Sequence, residues 1–177
     1  MNRILLVRIH MYLAAFFTPA VLLVAISGGL YLIDIKGEVE QELIYKSDTT
    51  IDSKSISLHA DVQSLLTSAG LTAYSFEYVK VSGATLYTRP TSTQHYIIKT
   101  GTDGTEVIEA RPNLQSKMLE LHQGHGPKMF KTFQTVFAVA LIFVMLSGLW
   151  LGISAARLRT STLLTAAAGA LVFVLLL

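Results

Sequence analysis

Met11 to Ile33 reads MYLAAFFTPAVLLVAISGGLYLI, 23 residues without a charge, and Thr132 to Ala156 reads TFQTVFAVALIFVMLSGLWLGISAA, 25 more without one. A hydrocarbon core about 30 Å thick takes roughly 20 helical residues at about 1.5 Å each, so either run is long enough to cross it. All 12 acidic residues of the 177-residue chain lie between Arg8 and Arg157. The pattern predicts two membrane helices with a small soluble domain inserted between them. A third apolar run, Ser161 to Leu177 (STLLTAAAGALVFVLLL), has 17 residues and sits at the lower limit for a span. It is expected to cross as a third helix; the alternative is a short hairpin or interfacial segment.

Composition agrees with the membrane class, at 51% hydrophobic and 15% charged with positive mean hydropathy. A formal net charge of +2 gives no basic surface for nucleic acid. Its distribution says more. Arg3 and Arg8 precede the first run and Arg157 and Arg159 follow the second, with no acid beside them, whereas the central stretch is mixed. By the positive-inside rule both Arg-only segments are cytoplasmic and the central domain lies outside. The basic start followed by an apolar run has the order of a signal peptide. The run is too long for one, however, and no small-x-small site follows it, so an uncleaved anchor is expected. The chain has no cysteine, which excludes thiol nucleophiles, iron–sulfur clusters and thiolate metal sites.

Between the spans, Asp34 to Thr50 reads as a short helical exit and a linker. Leu58, Val62, Leu65, Leu66 and Ala69 recur at helical spacing after Ser55 or Ser57 as a cap, and Gly70 supplies a stop. The period then changes to two. Thr72–Val81 puts Tyr74, Phe76 and Tyr78 on one face of a strand; Ala84–Thr88, Gln94–Thr100 and Thr105–Ala110 follow as three more. Gly101-Thr102-Asp103-Gly104 forms the last hairpin turn. One helix covering four antiparallel strands makes a small α+β module.

These residues resemble a known family. A helix followed by strands that end in a Tyr-x-Ile-Lys-Thr-x-x-Asp-Gly-x-x-Val hairpin (Tyr96 to Val107) is similar to the PepSY domain. The segment Arg8-Ile9-His10 with Ser27-Gly28 downstream, and Leu121-His122 with Ser147-Gly148-Leu149-Trp150 downstream, are similar to the two membrane helices of PepSY-associated proteins. The resemblance covers about residues 1–158. The expected architecture is a membrane α-helical protein of two to three spans with an inserted, extracytoplasmic α+β PepSY-like domain. Its segments are a cytoplasmic stub and first span (1–35), the domain (36–115), an interfacial segment and second span (116–158), and the third span (159–177). The resemblance implies a bacterial inner-membrane protein with the domain in the periplasm.

Five histidines are candidates for chemistry. His59 and His95 read as ordinary residues of the soluble domain. His10 stands at the mouth of the first span, where a polar side chain needs a partner or a role. It reads either as an interfacial residue reaching toward headgroups or as an axial haem ligand, since imidazole is the usual iron ligand for b-type haem between membrane helices. His122 and His125 precede the second span and, in a helix, share a face at i, i+3. Structural roles, haem ligation and another metal all remain open for them, with Glu120 the nearest acid. The helix from His10 to Ile33 is roughly 35 Å long, so one chain cannot bring His10 and His122 to one iron. A homodimer can pair each with its counterpart. Ser27-Gly28 and Ser147-Gly148 read as small residues for close helix or cofactor approach. Pro19 is expected to kink the first span, with the Thr18 hydroxyl satisfying a freed backbone group.

No Gly-x-Gly-x-x-Gly, Walker, Gly-x-Ser-x-Gly or His-Glu-x-x-His motif is present. The first expectation is accordingly an accessory or assembly subunit of a larger, possibly respiratory, inner-membrane complex, not an enzyme by itself. The alternative is a homodimeric haem b electron carrier of the ferric-reductase kind. A second alternative is a module that binds or inhibits an extracytoplasmic protease. The partners expected are the lipid bilayer, other membrane subunits or a second copy, and not nucleic acid.

Overall fold

The computed structural model describes residues 2–101 and 104–177. In chain order the elements are α1 (Arg3–Leu32), β1 (Val39–Ser47), α2 (Leu58–Ser68), β2 (Tyr78–Ser82), β3 (Thr85–Arg89), β4 (His95–Gly101), β5 (Gly104–Pro112), α3 (Leu114–His122), α4 (Lys128–Ser154) and α5 (Arg159–Leu176). Helices α1, α4 and α5, with hydropathies of 2.1, 2.5 and 1.6, are long and apolar enough to cross a membrane. The 18 residues of α5 support the third span by length and composition. The chain divides into two compact units, Met1–Val21 with Thr135–Leu177, and Leu22–Gln134.

The first unit is helical. Phe17 of α1 and Phe137 of α4 are both buried and pack with ring centroids 5.6 Å apart. At the α4–α5 turn, Gly152 lies so close to Thr162 that a Cβ there would meet its hydroxyl at 2.6 Å. Helix α1 continues through Pro19, and the Thr18 hydroxyl donates to Ala14 O at 2.8 Å. That corrects the expected role. Proline at 19 leaves the carbonyl of residue 15 without its amide, whereas a threonine hydroxyl in a helix reaches the carbonyl four residues back.

The second unit holds a five-stranded antiparallel sheet in the order β1-β5-β4-β3-β2. One face carries Leu86, Ile98 and Val107, which pack against Val62, Leu65 and Leu66 of α2 with Phe76 and Tyr96 closing the sides. The periodicity of α2 thus puts its apolar stripe on the sheet, as expected. Gly70 ends it, with Leu71 N–H donating back to Leu66 O at 2.9 Å. Ser57 precedes the helix, but its hydroxyl goes to the Asp61 carboxylate instead of capping a backbone amide.

Two strand expectations change. Residues 39–47 form β1, a full edge strand on β5, where a helical exit and linker were expected. Its register shifts between Leu43 and Tyr45, so the period of two that marks a strand is broken at mid-length. Thr72–Glu77 is not strand; regular pairing begins at Tyr78. Phe76 is still buried and Tyr74 half-buried, but Tyr78 is exposed, so the three aromatics do not share one face. The other three strands fall within two residues of expectation. Thr102 and Asp103 of the last hairpin lie outside the described residues, and Gly101 pairs with Gly104 across them.

Candidate functional site

His10 and His122 meet the same chemical environment in different units. In the first unit, His10 Nδ1 lies 2.9 Å from Ser147 Oγ, and Cε1 of the same ring would touch a Cβ placed on Gly148 at 3.2 Å. In the second, His122 Nδ1 lies 3.0 Å from Ser27 Oγ, and its Cε1 would touch a Cβ on Gly28 at 3.2 Å. Each imidazole therefore rests its edge on a glycine and hydrogen-bonds the serine before it. Ser27 is fully buried and Ser147 nearly so, while both histidines are half-buried. The two Ser-Gly pairs are histidine seats. Their small size was legible in the sequence; which side chain they receive was not.

Local structure aims His122. The Asn113 side chain caps α3 by accepting from Ser116 N–H at 2.9 Å, and the amide of Gln115 donates to Ile35 O at 3.1 Å. Gly37 (φ +79°) lies against Asn113 and the Ser116 amide, a contact closed to any side chain. At the other end of α3, Gln134 donates to Leu121 O at 2.6 Å. The helix terminates in a left-handed Gly124 (φ +78°), with Gly124 N–H donating to Leu121 O and His125 N–H to Glu120 O at 2.9 Å.

That turn separates His125 from His122. Instead of sharing a helical face, His125 folds back so that its Nδ1 is 2.9 Å from a Glu120 carboxylate oxygen. The i, i+3 relation that a helix continuing through 125 would give the two histidines is not formed, because glycine at 124 ends the helix. Glu120 also accepts from the Thr91 hydroxyl and lies 3.6 Å from Arg89 Nη1. Sequence reading missed this cluster, since Arg89 and Thr91 are some 30 residues away from Glu120 and only the fold joins them. Among the described residues, no group of three or more His, Asp or Glu side chains is arranged to hold a metal ion.

His59 and His95 belong to the sheet domain. His59 stacks on Phe76 with ring centroids 4.3 Å apart. His95 is buried, its Nδ1 2.9 Å from Thr93 O, and burial lowers its pKa, with the Thr93 bond and the Glu120 charge opposing. Near α4, Glu77 accepts from Lys128 N–H at 2.7 Å, and Lys131 donates to the Tyr78 hydroxyl at 3.3 Å.

A helix-covered antiparallel sheet followed by long apolar helices agrees with one comparison. Residues 35–177 match the family described as PepSY_TM-like. No curated protein and no solved structure matches the chain. The match takes in the sheet domain, α3, α4 and α5, and the chain therefore belongs to the PepSY_TM-like family of membrane proteins.

Proposed function

We propose that the protein is a membrane electron-transfer subunit that works as a homodimer, with His10 and His122 as axial ligands for b-type haem, each paired with the same residue of a second copy. One observation carries the reading. In both histidines Nδ1 is engaged by a buried serine, and no described hydrogen bond uses Nε2. Ligating histidines characteristically have their second nitrogen held in this way. Each seat offers one imidazole, so a haem held there would take its other protein ligand from the second copy, and the glycine beside each ring makes room for the imidazole. Haem b would supply a one-electron carrier. The protein's part is to hold each imidazole by its serine and to present Nε2. Arg3, Arg8, Arg157 and Arg159 support a cytoplasmic end near His10 and a sheet domain on the opposite, periplasmic side of a bacterial inner membrane, so that the two seats would connect its faces.

This reading keeps the idea of a subunit and gives it a cargo. Haem extracted from protein purified in mild detergent tests it. The expected content is one haem b per chain, falling to half in His10→Ala or His122→Ala and to none in the double variant. Pure wild-type protein free of haem would overturn it and leave an accessory protein without a cofactor.

A further inference from the structure

The serines do more than fill space. Ser27 Oγ lies 2.7 Å from Leu23 O, a separation between two oxygens that requires the hydroxyl hydrogen to lie between them. That hydrogen is the only one Ser27 has. The 3.0 Å contact with His122 Nδ1 can then form only if the imidazole donates. Ser147 has a looser version of the arrangement, 3.1 Å from Val144 O on its own helix and 2.9 Å from His10 Nδ1. The opposite assignment at either seat would put the imidazole hydrogen on Nε2, where no described acceptor meets it.

We infer that Ser27 and Ser147 are positioning residues that lock His122 and His10 as Nδ1–H tautomers, leaving the Nε2 lone pair of each ring bare and aimed by its glycine. The inference rests on the proposed ligand role for its purpose, while the hydrogen-bond geometry stands without it. Ser27 spends its proton on its own helix and so can only accept from the ring, and Ser147 takes the same role by the likeness of its seat. A seat built in this way selects a Lewis base at Nε2 before any ligand arrives. Gly28 and Gly148 complete it, because a methyl group at either position would press on Cε1 at 3.2 Å and tilt the ring away from its serine.

The test is nitrogen NMR of haem-free, full-length protein carrying 15N-labelled histidine, reconstituted in lipid nanodiscs at a pH where free imidazole is neutral. His10→Gln and His122→Gln assign the signals by their loss. Both residues are expected to show a protonated Nδ1 and a bare Nε2. Ser27→Ala should convert His122 alone to a tautomer mixture, and Ser147→Ala should do so for His10 alone. Ser27→Thr and Ser147→Thr, which retain the hydroxyl, should preserve the wild-type signals, and the unaffected histidine reports that each variant is folded. Protonated Nε2 in the wild type, or signals unmoved by the alanine variants, would overturn the inference even if the protein carries haem. Colourless protein with the expected tautomers would instead overturn the haem reading and uphold this one.

Discussion

His95 shows how one buried side chain sets a pH limit on the sheet domain. It is only 5% exposed, and burial pushes its pKa below the ordinary 6.5. The unfolded chain then takes up a proton at higher pH than the folded one, so stability is lost as pH falls through about 6.5 and levels off below the folded-state value. Thermal unfolding of the full-length protein from about pH 8 to pH 5 should show that decline, and His95→Gln should flatten it. Gly37 makes a second prediction. With φ at +79° and any added Cβ driven into the Ser116 amide, Gly37→Ala should destabilise the protein by about 1–3 kcal/mol in chemical denaturation and loosen the start of α3. Neither residue announced itself in the sequence. His10 did, because a polar side chain at the edge of an apolar run is conspicuous. Its partner Ser147 did not, because 137 residues separate them and only the pairing of α1 with α4 decides which small residue receives the ring.

At the level of elements, legibility followed burial. Helix α2 could be read from its stripe because Val62, Leu65 and Leu66 all enter one core. Leu66 is fully buried, and Leu66→Ala should cost about 2–5 kcal/mol, read as a lowered denaturation midpoint in detergent. A like truncation of exposed Ile56 should cost almost nothing. Strand β1 escaped because an edge strand exposed along most of its length has no buried face to enforce alternation, and its register shift erases what remains. The run of Tyr74, Phe76 and Tyr78 misled for the opposite reason. Phe76 reaches the core and Tyr74 its margin from irregular backbone, which imitates a strand's period without strand pairing. At α3 the uncertainty over His122 and His125 came down to Gly124, whose left-handed turn hands His125 to Glu120.

For the whole molecule, the membrane class and the α+β insertion were written in charge and hydropathy, since lipid tolerates no charge along a span without strong compensation. The candidate site was only half written there. Its histidines and Ser-Gly pairs could be named, but their matching is a product of tertiary packing. One chain offers one imidazole at each seat, so the proposed function requires a second copy. Mass measurement in native detergent should find dimers, and these should persist in His10→Gln if helix packing, not iron, holds them together.

The reduced-minus-oxidised visible spectrum of the purified protein tests the central claim most directly. A Soret shift with a sharp reduced α band, retained at partial intensity in each single histidine variant and lost in His10→Ala/His122→Ala, is the predicted result. A flat difference spectrum from pure, folded wild-type protein would contradict it.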